Sequence, residues 1–301
     1  MRQTRIDQMQ DLAARIAHYQ PHSGMLETQV PGLSLYRVHE PSSPTPTVYE
    51  ASLCLIAQGA KTVSLGETRV SYDPSRYLLV SMDLPLVGEI ITASPEQPYL
   101  CCKIDLDQAM LADLVTQDGC ATADVDVSPL AVYPSDPLFV DAACRLVGLL
   151  DEPDAINVLA PLIHREIIFR LLRGPHGPTL RRISTGDSRR GKIARAISRI
   201  RASYREPLRV EEIASAANMS PSSLHEHFKS LTTLTPLAYQ KQLRLQEARR
   251  LMLSDGVNAG TASFAVGYQS PSQFSRDYRR LFGAPPRQDV ENFQKSGAVP
   301  E

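Results

Sequence analysis

No apolar run in this 301-residue chain reaches the roughly 18 residues that a helix needs to cross a bilayer. The opening stretch, MRQTRIDQMQDLAARIAHY, alternates charged and apolar positions. It lacks the apolar core and small-residue cleavage site of a signal peptide and reads as an amphipathic helix. Cysteine is scarce and odd in number. Cys54, Cys101, Cys102, Cys120 and Cys144 have no framework spacing, which fits reduced thiols in a cytoplasm better than disulfides. Of the seven histidines only His39 lies in the strand-rich front, so no cluster of His with a carboxylate can gather a metal there. His225 and His227 stand two apart on a helix and face different ways, so they are no metal pair. There is no glycine-rich phosphate loop and no nucleophile elbow. These absences lead to the expectation of no metal, no cofactor, no membrane partner and no catalytic site.

What is present is a globular composition, 43% hydrophobic and 22% charged, on a chain long enough for two domains. The net charge of −1 conceals an asymmetry. Residues 1–173 carry 12 basic and 22 acidic residues, and residues 174–301 carry 20 basic and 11 acidic. An acidic front and a basic back imply different partners, with nucleic acid a candidate for the back.

From Leu33 to Asp105, short runs rich in Val, Ile, Leu and Tyr alternate with turn material: LSLYRVH, YEASLCLIA, KTVSL, TRVSY, YLLVSM, LVGEIIT and YLCCKID. This texture predicts a small sandwich or barrel. A helix is then predicted up to Gly119, followed by a helical pair joined at Glu152-Pro153 and ending at Gly174. The Gly/Pro/Arg-rich stretch 174–191 reads as a boundary, and everything after it as helical.

One short helix is written twice, 50 positions apart. SPSSLHEHF begins at Ser220 and SPSQFSRDY at Ser270. Each has Ser at the N-cap and Pro at the first helical position. Each has one apolar stripe, Leu224, Phe228 and Leu231 in the first and Phe274, Tyr278 and Leu281 in the second. The opposite faces are polar and differ: Ser222, Ser223, His225, Glu226 and Lys229 against Ser272, Gln273, Ser275, Arg276, Arg279 and Arg280. A short Ala-rich helix and a tight turn precede each copy, which is the helix-turn-helix plan. The helix between them, from about Pro236 to Leu253, would be about 27 Å long, close to the roughly 34 Å between successive major grooves on one duplex face.

Residues 193–291 resemble the DNA-binding domain of AraC/XylS-family transcription regulators. The resemblance rests on EEIASAANMSPSSLHEHFK, RLQEARRLM and FAVGYQSPSQFSRDYRRLFGAPP. It implies base contacts from Ser222, His225 and Glu226 in the first unit and from Ser272, Ser275 and Arg276 in the second. Lys229, Arg279 and Arg280 are expected on phosphates. Glu226 can accept from a cytosine amino group or discourage non-specific binding. One departure stands out: many relatives have Gly where this chain has Thr233, so a looser loop is expected after the first recognition helix.

The front resembles the N-terminal domain of one AraC subgroup, through YEASLCLIAQGAKTVSLGE, YDPSRYLLVSMDLPL and PYLCCKIDLD. The resulting expectation is an α+β chain: a cupin-like barrel (about 28–106) and dimerisation helices (about 107–173), a linker (174–191), an all-α domain with two helix-turn-helix units (192–292) and a tail (293–301). Expected partners are double-stranded DNA, RNA polymerase, a second copy of the chain and a small-molecule or electrophile effector, for an activator or a repressor in the cytoplasm. The stripes Leu138, Ala142, Arg145/Leu146, Leu149 and Ile156, Leu159, Leu162/Ile163, Ile167 are candidates for the dimer seam, or for packing on the barrel. Alternation in PYLCCKID buries Cys102 and places Cys101 beside Lys103, which could lower its pKa and make it a sensor. The competing reading is a cupin-type enzyme or small-molecule carrier with an accessory DNA-binding domain.

Overall fold

A computed structural model describes residues 2–118, 128–184 and 188–296. The predicted helix end at Gly119, the thiol of Cys120 and tail residues 297–301 lie outside the described residues. Helix α1 (Arg2–Tyr19) leads into β1 (Gly24–Glu27), β2 (Leu33–Val38), β3 (Thr45–Tyr49), β4 (Ser52–Gln58), β5 (Ala60–Leu65), β6 (Thr68–Tyr72), β7 (Arg76–Val80), β8 (Leu84–Thr92) and β9 (Tyr99–Asp105). Then come α2 (Gln108–Asp118), β10 (Leu130–Pro134), α3 (Pro137–Gly148), α4 (Pro153–Arg173) and α5 (Gly177–Ser184).

The strands form two antiparallel sheets, β1-β2-β9-β4-β7-β10 and β3-β8-β5-β6. Period-2 alternation assigns each side chain to one of two cores. On β9, Leu100, Cys102 and Ile104 face outward, and on β4 so do Leu53 and Leu55. They pack with Leu12 and Ile16 of α1, Val140 and Leu146 of α3, and Ile163 and Ile167 of α4. The opposite faces, with Cys101 of β9 and Cys54 and Ile56 of β4, close on Val63, Leu84, Leu86 and Ile90 of the second sheet. Register places Leu55 opposite Cys102 and Ile56 opposite Cys101.

Three strands escaped the sequence reading. β3 carries Pro46, which cannot donate to a ladder, and it accordingly sits at a sheet edge. β1 and β10 are short edge strands that pair with β2 and β7. The expected linker also holds structure. Residues 177–184 form helix α5, whose Leu180 and Ile183 are buried. The proposed dimer stripes are largely consumed within the chain: Ala142, Leu146, Leu149, Ile156, Ile163 and Ile167 belong to the outer core. Leu138, Leu159 and Leu162 remain exposed, joined by Val158 and Phe169.

His176, in the turn before α5, ties that helix to the barrel. Its ring sits 3.8 Å from the Tyr133 ring and 5.4 Å from the Tyr77 ring, and Nε2 is hydrogen-bonded to the Tyr77 hydroxyl. Burial pushes its pKa down to about 4. A histidine held neutral in the fold but free to protonate when unfolded favours the folded state above its unfolded pKa. That contribution is lost as pH falls from about 6.5 through 4. Urea unfolding of the wild type should therefore show an acid-side loss of up to about 3 kcal/mol relative to His176→Gln. Parallel pH profiles for the two proteins would contradict this.

Candidate nucleic-acid interface

The helical half begins with α6 (Arg189–Ala202) and continues with α7 (Val210–Ala216), α8 (Pro221–Thr232), α9 (Pro236–Ser254), α10 (Ala259–Ala265), α11 (Pro271–Phe282) and α12 (Pro286–Ser296). α7 with α8, and α10 with α11, are the two helix-turn-helix units. Each recognition helix starts on its predicted cap. Ser220 Oγ accepts from the Ser223 N–H at 3.3 Å, and Ser270 Oγ from the Gln273 N–H at 3.4 Å. The predicted stripes dock inward, Leu224 and Phe228 in one unit and Phe274 and Tyr278 in the other, all fully buried. Phe228 meets Tyr239 of α9 edge-on at 5.5 Å. Tyr278 donates to Asp289 of α12 at 2.7 Å.

The two turns differ by one residue. Met219 N–H donates to Ala214 O in the first, and Tyr268 N–H to Ser263 O in the second, 49 positions apart rather than 50. The extra residue in the second is Gln269. Both turns need a left-handed residue, Asn218 at φ 51° and Gly267 at φ 88°. Asn218 was not singled out in the sequence, although Asn tolerates this region better than most side chains.

Opposite the docked stripes, Ser222, His225, Glu226 and Lys229 are exposed on α8. At a constant offset of 50, Ser272, Arg276 and Arg279 are exposed on α11, with Ser275 half-buried. At 100° per residue these positions fall on one face of each helix. Among the described residues, none of His225, Glu226, Lys229, Arg276 and Arg279 is held in an ion pair. Arg280 lies at the margin of this face. It donates to Asp277 at 2.8 Å, and Asp277 also meets Lys241 of α9 at 3.1 Å.

Residues 29–179, half of the chain, match the family described as AraC-type transcriptional regulator N-terminus, and residues 213–292 match a helix-turn-helix domain. The chain belongs to the AraC/XylS family of transcriptional regulators. Similar curated members are the HTH-type transcriptional regulator ArgR of Pseudomonas aeruginosa and the HTH-type transcriptional activator RhaS of Escherichia fergusonii. ArgR is 26% identical over 154 residues, covering 51% of this chain and 46% of that protein. RhaS is 30% identical over 161 residues, covering 52% and 57%. The chain thus spans about half the length of the curated relatives it matches. Among solved structures, ToxT of Vibrio cholerae bound to an unsaturated fatty acid shares the fold. Its TM-score is 0.60 at 11% identity, over 92% of this chain and 98% of that one. ToxT bound to (E)-4-(8-methylnaphthalen-1-yl)but-3-enoic acid gives a TM-score of 0.61 at 12% identity, over 86% and 97%.

In this AraC-type chain the barrel meets the helical half across a cavity of about 870 Å³. Tyr36, Tyr49, Tyr72, Tyr99 and the buried Lys61 line it from the barrel, and Arg201, Tyr204, Leu243, Arg250 and Phe282 from the helices. The Lys61 ammonium lies 5.2 Å from the Tyr49 ring centre. Cys54 and Cys101 also line the cavity. Cys101 is only 3% exposed, and its Sγ donates to the Cys102 carbonyl at 3.5 Å. Lys103 shares its face but is held by Asp105 at 2.7 Å and Glu50 at 3.7 Å. Two carboxylates thus meet its charge. Burial raises the pKa of Cys102, in the outer core, well above the usual thiol range. Among the described residues, no three His, Cys, Asp or Glu side chains gather as a metal site, and no helix is long and apolar enough to cross a membrane.

Two ties cross the cavity rim, and neither has a signature in the sequence. Arg201 of α6 pairs with Glu50 and, at 3.0 Å, with Asp83. Burial raises the Glu50 carboxyl, but Arg201 and Lys103 outweigh it and hold the pKa below the ordinary value. At Asp83 burial prevails and leaves the pKa raised. The second tie is Gln246 of α9. Its Oε1 accepts from the Val48 N–H at 2.9 Å, and its Nε2 donates to the Pro46 carbonyl at 3.2 Å. One side-chain amide thus satisfies the open edge of β3 as a neighbouring strand would.

The loop after α8 is as tight as its counterpart, contrary to the expectation from Thr233. Thr233 adopts φ 64° and donates to the Lys229 carbonyl at 2.8 Å; Gly283 adopts φ 81° and donates to the Arg279 carbonyl at 2.8 Å. The β-branched residue accepts the left-handed cap that glycine normally fills, at a cost of roughly 1–2 kcal/mol. Its methyl leans on Gly66, at the tip of the β5–β6 hairpin, where an added Cβ would lie 2.9 Å away. Removing the strain outweighs losing that small contact and the added freedom of the unfolded chain. Thr233→Gly should therefore raise the urea midpoint by an equivalent of roughly 0.5 kcal/mol with an unchanged slope. A lowered midpoint would show that the Gly66 contact dominates.

Proposed function

We propose that the chain is a sequence-specific, effector-responsive transcription regulator that reads duplex DNA with both recognition helices. The observation that carries this is the pair of free polar faces repeated at an offset of 50 on helices whose caps, turns and buried stripes also match. Ser222, His225 and Glu226 read bases in one major-groove segment, and Ser272, Ser275 and Arg276 read them in the next. Lys229 and Arg279 meet phosphates. Arg280, already paired with Asp277, reaches a phosphate from the margin. The RhaS relative is named an activator, which supports RNA polymerase as a further partner. The exposed row Val158, Leu162 and Phe169 on α4 supports a homodimer, and the whole would operate in the cytoplasm.

The cavity is the effector site in this reading. Its five tyrosines suit an organic molecule with an apolar body, and Lys61, Arg201 and Arg250 suit an acidic head. The ToxT structures that share the fold hold an unsaturated fatty acid in one case and an arylbutenoic acid in another, which favours the same class of effector here.

The test is duplex selection from a random pool followed by binding titrations. Wild-type affinity should fall steeply with salt. Arg276→Ala should cost roughly 1–3 kcal/mol on the selected duplex and abolish preference at one base pair. Lys229→Ala should weaken all sequences evenly and reduce the log–log salt slope by about 1. An even loss for Arg276→Ala would make it a phosphate contact instead.

A further inference from the structure

The two recognition helices dock in separate cores, and two successive groove segments can be read together only if their separation is held. The structure shows what holds it. Arg244 sits midway along α9 with its guanidinium spread over four backbone carbonyls. Nε donates to Tyr204 O at 2.6 Å, and Nη2 to Arg205 O at 3.1 Å and Glu206 O at 2.7 Å, all in the α6–α7 loop of the first unit. Nη1 donates to Gly267 O at 3.1 Å, in the turn of the second unit. The same guanidinium carbon lies 6.0 Å from the Tyr268 ring centre.

The two segments are also in direct contact. A Cβ on Gly267 would stand 2.1 Å from the Arg205 carbonyl oxygen, so the second turn rests against the first unit's loop with no room for a side chain. Its φ of 88° independently favours glycine. One turn earlier on α9, Gln240 donates to Glu206 O at 2.8 Å and secures the same loop.

We propose that Arg244 is the positioning residue that sets the separation and angle of the two recognition helices, and through them the half-site spacing the protein accepts. The proposal rests on the DNA-reading function above. Only a planar fork with several fixed N–H donors can staple two loops at once; a lysine ammonium reaches fewer of these carbonyls and sets no plane. The leverage is short. α11 starts four residues after Gly267, and Arg276 lies about 7.5 Å further along that helix at 1.5 Å per residue. A swing of about 10° at the helix start moves that position by roughly 1.3 Å, enough to break a hydrogen bond to a base edge.

The experiment uses the full chain and a duplex selected from a random pool, with one base pair inserted or deleted between the two half-sites. For the wild type, each change should lower affinity at least about tenfold. For Arg244→Lys, which keeps the charge and part of the bonding, and for Arg244→Gln, the penalty should shrink to about threefold or less. Affinity for a duplex with only the first half-site should stay within about twofold of wild type. Gly267→Ala should move the preferred spacing, because it forces the loops apart. An unchanged spacing profile in Arg244→Lys overturns the proposal. So does an equal loss on the single half-site in a variant whose urea midpoint matches wild type, since that marks a general structural role. A wild type that selects no duplex overturns the DNA reading, and this proposal with it.

Discussion

One continuous apolar core runs from between the two sheets into the first helix-turn-helix unit, and the arrangement of the DNA-binding half depends on it. Cys54, Ile56, Leu78 and Leu86 of the barrel belong to the same cluster as Ile193, Ile197 and Ile200 of α6, Leu224 and Phe228 of α8, and Tyr239 of α9. The second unit has its own core, built on Leu245, Met252, Phe274 and Tyr278. The first recognition helix is therefore part of the barrel's interior, whereas the second is a separate body carried by α9. Burial of this kind is non-directional but collectively strong, and it sets which parts move together.

The cavity lies where that asymmetry matters. On the helical side it is bounded mainly by the later part of α9 and by Phe282, at the end of the second recognition helix. An occupant there would touch both α6, through Arg201, and the α9 carrier of the second unit. Arg201 and Gln246 frame the rim, one through charge and the other through the open edge of β3. A molecule with an acidic head would compete with Glu50 and Asp83 for Arg201, which links occupancy to the docking of α6 on the barrel.

Much of the DNA-binding half could be read from the sequence because its signals are local. Ser220 and Ser270 cap, Pro221 and Pro271 start, and the Leu/Phe and Phe/Tyr stripes dock where helical spacing puts them. The strand-rich front was legible wherever Val, Ile and Tyr alternate, including the edge strand β6, and it failed at the other three edges: Pro46 hid β3, and the short GMLE and LAVYP runs hid β1 and β10. Residues that join distant segments left no pattern. Gln246 meets a strand 200 positions away, and Arg201 meets Glu50 151 positions away. Nothing in either neighbourhood announces such a partner. Thr233 shows a local rule overridden, since its surroundings impose a glycine conformation on a β-branched residue. Lys103, on the same strand face as Cys101, is met by Asp105 of its own strand and by Glu50 from a distant segment, a pairing that alternation along one strand does not reveal.

The most direct test of the shared core is hydrogen exchange on the full chain under increasing denaturant. Amides of α8 should become exchangeable in the same opening event as those of β4 and β7, with the same free energy and denaturant dependence. Amides of α11 should open in a separate event of lower free energy. If α8 instead opens together with α11, and apart from β4 and β7, the first recognition helix is not part of the barrel's interior and the account fails.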